Sequence, residues 1–230
     1  MKRNDLIFTG AIILFFLPFF VSPAVYNWYN TFNADHGMIM SFIKFGILAT
    51  LGEVIGLRIK TGKYNVPGFG ILPRAIVWGF LGLTIKLAFV IFGSGTISFL
   101  TYMGMGNAAE AMAGGFSGAK LFVAFCTSVF MNTIYAPVMM TFHKITDTHI
   151  VNNGGTVSGL LKPINFSKIL TGLNWDVQWN FVFKKTIPLF WYPAHTITFL
   201  LPADFQVLFA ALLSIALGLI LAIASQKGNK

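Results

Sequence analysis

Six stretches of this chain, residues 6–25, 38–57, 73–92, 119–140, 186–201 and 205–224, run almost without charge. Roughly 20 apolar residues are enough to cross a bilayer as a helix. Lipid offers nothing to an open backbone N–H or C=O, so only helices and closed barrels span it. These runs are too long and too uniformly apolar for barrel strands, which alternate in polarity over about ten residues. The expected fold is all-α: one transmembrane domain over residues 1–230, a polytopic bundle of about six transmembrane helices. A soluble chain is excluded by composition, since 56% of the residues are hydrophobic and only 10% charged, too few to cover a water-facing surface.

The formal net charge of +9 raises nucleic acid as a partner, and the placement of the cations answers it. Lys2 and Arg3 precede the first run, and Arg58, Lys60, Lys63 and Arg74 lie around the connection from the second to the third. Lys144, Lys162, Lys168, Lys184 and Lys185 lie between the fourth and fifth, and Lys227 and Lys230 follow the last. The other connections hold Asp35, Glu110 and Asp204 and no Lys or Arg. Cations and acids thus alternate across successive loops, as the positive-inside rule demands for an even number of crossings. Both termini are expected in the cytoplasm. The basic excess is accounted for by topology and anionic head groups, so the partner is the lipid bilayer and not nucleic acid.

The single cysteine, Cys126, lies inside an apolar run and offers neither a disulfide framework nor a cysteine metal site. The N-terminus has a basic start and small residues at Ser22 and Ala24, like a signal peptide. Its apolar run is longer than a usual signal core, so a retained first span is expected.

Outside the runs, the longest polar stretch covers residues 142–185 and contains the turn signal NNGG at 152–155. Within it, Trp175 and Trp179 are four apart, which puts both rings on one helical face at head-group level, an anchoring belt. The outer stretch from about residue 93 to 118 is rich in Gly, Ala and Met. It reads as a re-entrant or surface helix, with Gly114 and Gly118 placed for a close helix approach. No internal repeat is visible, so an inverted-repeat transporter is not supported.

Ionisable and strongly polar residues inside the runs are few: Lys44, Glu53, Lys86, Asn132 and His195, with Thr196 and Thr198 nearby. A charge at mid-bilayer costs on the order of 2.5–3.5 kcal/mol, so such residues face protein or water. At a rise of about 1.5 Å per residue, Glu53 lies roughly 7 Å from the cytoplasmic end of its span, Asn132 and His195 roughly 13 Å and Lys86 roughly 18 Å. That spread suits a wet cavity open to the cytoplasm. An ion pair of Glu53 with Lys86 would be strained by the difference in height. Lys44 lies about 180° round the helix from Glu53 and cannot meet it. Arg74, at the mouth of the third span, or water is the nearer partner. Gly46, Gly52 and Gly56 form a small-residue stripe beside Glu53 that admits a neighbouring backbone. The structural alternative for the whole set is interhelical glue, with the lysines snorkelling to the interface.

The segment HKITDTH places His143 and Asp147 on one helical face with His149 elsewhere. Three local ligands in that arrangement do not make a metal site, and none is expected. The signatures G-x-S-x-G, HExxH and the P-loop are absent, so neither an enzyme nor a cofactor is expected.

Several residues together carry a resemblance. His36 is followed ten residues later by Gly46 and then by Gly52-Glu53, with Gly37 beside the histidine; Arg74 and Gly82 follow in the third run. Met131-Asn132 precedes Ala136-Pro137, and Trp191-Tyr192-Pro193, Thr198-Phe199 and Pro202 close the series. This order resembles the Mpv-seventeen and peroxisomal-membrane-protein family, in which Pro stands at the Gly37 position, Asp at Glu53, an Asp-Gln pair at Met131-Asn132 and Arg at Gln206. The resemblance implies a small multispan protein with a pore-like, solute-permeation role, Glu53 and Asn132 standing at the family's polar positions. The extra first span and the lost acid at Met131 would make this a distant member, of a bacterial inner membrane.

The functional expectation is therefore a membrane protein with a polar interior lined by Glu53, Lys86, Asn132 and His195, passing or binding small hydrophilic solutes. The alternative is a non-transporting scaffold or assembly protein whose glycines pack partner helices, and a homo-oligomer stays open under either.

Overall fold

A computed structural model describes residues 3–227, with side chains up to residue 220. Every regular element among the described residues is helical: α1 Arg3–Val21, α2 Pro23–Asp35, α3 Gly37–Thr61, α4 Ile71–Tyr102, α5 Ala108–Ala113 and α6 Gly118–Asn152. Short helices α7 Val157–Leu160, α8 Phe166–Thr171 and α9 Trp175–Val177 lead into a π-helix, Gln178–Trp191, and then α10 Tyr192–Leu200 and α11 Ala203–Lys227.

Burial runs opposite to that of a soluble protein. Phe80, Val90, Ile134, Val138 and Leu189 are exposed, while Ser41, Ser128, Asn132 and Thr198 are fully buried. Five helices, α1, α3, α4, α6 and α11, are long and apolar enough to cross a membrane. The chain is an all-helical membrane bundle, because only hydrocarbon makes that outer surface favourable.

Two compact units divide at residue 40. In the first, α1 ends at Val21, short of the expected residue 25, because Ser22 caps a new helix by accepting from the Val25 N–H and Pro23 stands in its first turn. Phe19 packs edge-on to Tyr29, and Trp28 stacks on Phe32.

In the second unit, α3 crosses α4 where glycines remove side chains. A methyl group at Gly79 would come within 2.6 Å of the Phe42 ring, and one at Gly46 within 3.0 Å of the Ala75 carbonyl. Gly52 lies instead against α11, with Ile215 Cα 2.9 Å from where its Cβ would be, and Gly56 approaches the Gly218 carbonyl. The expected single stripe is thus two contacts on two faces, since residues 46 and 52 are six positions, well over one turn, apart. Gly114 meets only its own helix and Gly118 nothing, so the expected approach at that pair is not made.

Two helices outrun the apolar segments that signalled them. α4 continues to Tyr102 because Ser94, Ser98 and Thr101 turn their hydroxyls onto carbonyls one turn back, satisfying the polar groups within the helix. α6 continues to Asn152, and Pro137 lies inside it. The segment expected as a span at 186–201 is divided between the π-helix and α10. Wide-turn bonds mark the former: the Tyr192 N–H reaches the Ile187 carbonyl and the Thr186 hydroxyl the Phe181 carbonyl. Pro188, which lacks an N–H, lies within it. Ile187 and Trp191 pack with Phe183 against Ala136 of α6.

At the end of the bundle that carries the α3–α4 loop, two glycine turns interlock. Gly68, Gly70, Gly154 and Gly155 all have left-handed φ values, between 69° and 82°. A methyl on Gly155 would meet Gly68 C at 2.7 Å and Gly70 N at 2.8 Å.

Candidate functional site

The partners of Glu53, the acid of the second run, begin on α4. Arg74 and Trp78 are one turn apart there, and both reach Glu53: Arg74 Nη1 donates to Oε2 at 2.7 Å and Trp78 Nε1 to Oε1 at 2.9 Å. From α6, His143 Nε2 approaches Oε1 at 3.1 Å. Asp147, one turn further, pairs with the same Arg74, and Lys144 Nζ lies 3.7 Å from its other oxygen. Arg74 Nε also donates to the Phe69 carbonyl, and its guanidinium lies 4.4 Å from the Phe69 ring. Of the partners foreseen for Glu53, the structure supplies Arg74; the strained pairing with Lys86 is not made.

Glu53, His143 and Asp147 hold ligand atoms within 4.8 Å of one another, so a cation site must be weighed. Arg74 already occupies the space between the two carboxylates, and Arg74 with Lys144 balances their two negative charges. No excess negative charge is left to draw a divalent ion from water.

Above this cluster lies a cavity of about 270 Å³. Glu53 and His143 line it at one end, and Asn132 and His195 at the other. The eleven residues from Asn132 to His143 on α6 correspond to about 16 Å. Between the polar ends the wall is apolar and aromatic, including Phe45, Trp78, Met131, Tyr135, Met139 and Trp191. No family model, curated protein or solved structure matches this chain. Its function is therefore read from this geometry and from the residues already quoted.

The Asn132 end is built by α6 and α10. Asn132 Nδ2 donates to the Ser128 carbonyl at 2.8 Å, and the His195 Nδ1 lies 3.0 Å from Nδ2 and 3.1 Å from Oδ1. The Ser128 hydroxyl in turn donates to the Tyr192 carbonyl at 2.8 Å. Trp191 lies 4.9 Å from the His195 ring, and Phe89 and Phe199 also pack on it. With Nδ1 engaged, Nε2 of His195 has no hydrogen bond among the described residues.

Three of the four expected lining residues, Glu53, Asn132 and His195, thus meet one void. Lys86 does not line it; it lies within electrostatic reach of the buried Lys44, which also feels Asp204. The α-helical period carries Lys86 off the wall, since it is one residue past the lining Ile85 and about 100° round α4 from it. Sequence reasoning missed Trp78, Tyr135 and Trp191 as wall residues and considered His143 and Asp147 only for a metal. The signal for the cluster was two i, i+4 pairs, Arg74 with Trp78 and His143 with Asp147, which turn matched faces toward one acid. A larger open groove of about 610 Å³ lies between residues 65–73 and 154–157, and its lining has no ionisable side chain.

Proposed function

We propose that this integral membrane protein binds small solutes in the α3–α4–α6–α10–α11 cavity and lets them permeate, without catalysing a reaction. The observation that carries the reading is that Glu53 and the Asn132–His195 pair, far apart in sequence and on different helices, line one void. Polar groups held only as packing would be expected in separate dry contacts. The order of residues resembling the Mpv-seventeen family supports a pore-like role and, with the extra first span and the lost acid at Met131, a bacterial inner membrane; the positive loops support both termini in the cytoplasm.

The second reading, a membrane scaffold, is favoured by one observation: Glu53 is hydrogen-bonded across to α4 and Asn132 across to His195 of α10, as glue residues would be. Release of sized, neutral and charged solutes from proteoliposomes separates the two. The wild type should leak more than protein-free vesicles, and Ala136→Trp, which fills the void from a buried wall position, should return the leak to background. Equal leak from vesicles with and without protein would favour the scaffold.

A further inference from the structure

The nature of the wall says more about the solute than the polar ends do. Glu53 is the acid on the lining, and both its oxygens are engaged, Oε2 by Arg74 and Oε1 by Trp78 and His143. Arg74 and Lys144, which complete the charge balance with Asp147, are not on the lining. A cationic solute would have to displace Arg74 to find a counter-charge, and an anionic one would meet a carboxylate. Either ion would be stripped of water among Phe45, Met131, Met139 and Trp191, where one imidazole nitrogen of His195 cannot replace its hydration, which is strongly unfavourable.

The wall also sets size and shape. An apolar cavity of about 150 Å³ holds a benzene ring, so about 270 Å³ admits a fused two-ring molecule. Aromatic faces and thioethers favour flat, polarisable solutes. The Tyr135 hydroxyl is taken by Thr84 at 2.7 Å, and the Ser214 hydroxyl turns back to the Ala210 carbonyl. Of the two imidazoles on the wall, His143 is committed to the Glu53 carboxylate, whereas the Nδ1 of His195 is held by an amide that can offer either its oxygen or its nitrogen. Nε2 can therefore serve as donor or acceptor to one polar group on the solute.

We infer that the occupant is an uncharged, ring-bodied solute with a single hydrogen-bonding group, of the phenol or indole class, seated against His195 in the cavity. This rests on the solute-binding reading above and departs from the hydrophilic solute expected from the sequence, because the wall is mostly apolar and aromatic.

The test is equilibrium dialysis of the full chain in nanodiscs, with empty discs as the lipid-partition control. The probes share one skeleton: 2-naphthol, naphthalene, 2-naphthoate and 2-naphthylmethylammonium. Naphthol should saturate at about one per chain, with naphthalene weaker by about tenfold for want of the hydrogen bond, and the two ions no better than in empty discs. His195→Phe should abolish the tenfold preference for naphthol over naphthalene. Ala136→Trp should abolish binding of both; where that variant does not fold, Met139→Trp narrows the same space from a half-buried position. Binding of either ion as tightly as naphthol, naphthol uptake no greater than in empty discs, or uptake indifferent to the filling variants would overturn the inference. Saturable naphthol binding without vesicle leak would remove permeation and leave this inference standing. Cavity-dependent leak of ions with no naphthol binding would do the reverse.

Discussion

Arg74 Nη1 lies 2.7 Å from Glu53 Oε2, and the same guanidinium pairs with Asp147. One cation at the start of α4 thus joins an acid of α3 to an acid of α6. Neither pair is fully dry, the two acids each being 19% exposed and Arg74 8%. Its value is accordingly that of a partly screened network.

Glu53→Gln keeps the shape of the side chain and removes its charge, and Arg74→Met keeps the stem and removes the guanidinium. A double-mutant cycle on thermal unfolding in bicelles should return a coupling of about 1–3 kcal/mol. Additive effects would show that the close contact contributes nothing to stability.

Asn132→Leu leaves the His195 Nδ1 without its partner in a fully buried place and takes from the Ser128 carbonyl its second donor. The expected loss is about 1–2 kcal/mol, read from the same unfolding signal.

Glycine positions should divide by what their missing Cβ would meet. Gly52→Ala drives a methyl onto the backbone of Ile215 and should destabilise by about 1–3 kcal/mol. Gly93→Ala meets open space within α4 and should be neutral or raise stability by up to about 1 kcal/mol through helix propensity. Equal responses at the two sites would contradict the α3–α11 contact.

Topology is open to labelling in a Cys126→Ala background. Gly115→Cys and Asn152→Cys bracket α6, so an impermeant maleimide should reach them from opposite sides of a sealed vesicle. The Asn152→Cys side should be the cytoplasmic one, with the lysine-rich connection. Labelling of both from one side would refute a crossing by α6.

Much of this architecture was legible because hydrocarbon imposes one simple demand, and runs such as 38–57 and 119–140 state it openly. Helix ends were less legible. Ser94, Ser98 and Thr101 look like loop residues in a hydropathy profile, yet they bond to their own helix and extend α4. The π-helix left no pattern at all: its wide turns answer to Pro188 and to packing on Ala136, which no local period reports. At the site, Glu53, Asn132 and His195 could be picked out by the cost of burying polarity. That cost ranks residues without orienting them, which is why Lys86 was grouped with the cavity although the turn of α4 carries it away.

The interlocked glycines deserve a last consequence. Gly70 precedes Arg74 by four residues, and Gly155 follows Asp147 by eight, so the main-chain clasp fixes where these two charges hang before any attraction between them acts. A shift of the loop of residues 64–70 away from the turn at 154–155 should carry Arg74 and Asp147 apart beneath the cavity, so the rim and the charge cluster answer to one another. Bulk added at either glycine should therefore be felt at Glu53, which neither of them touches.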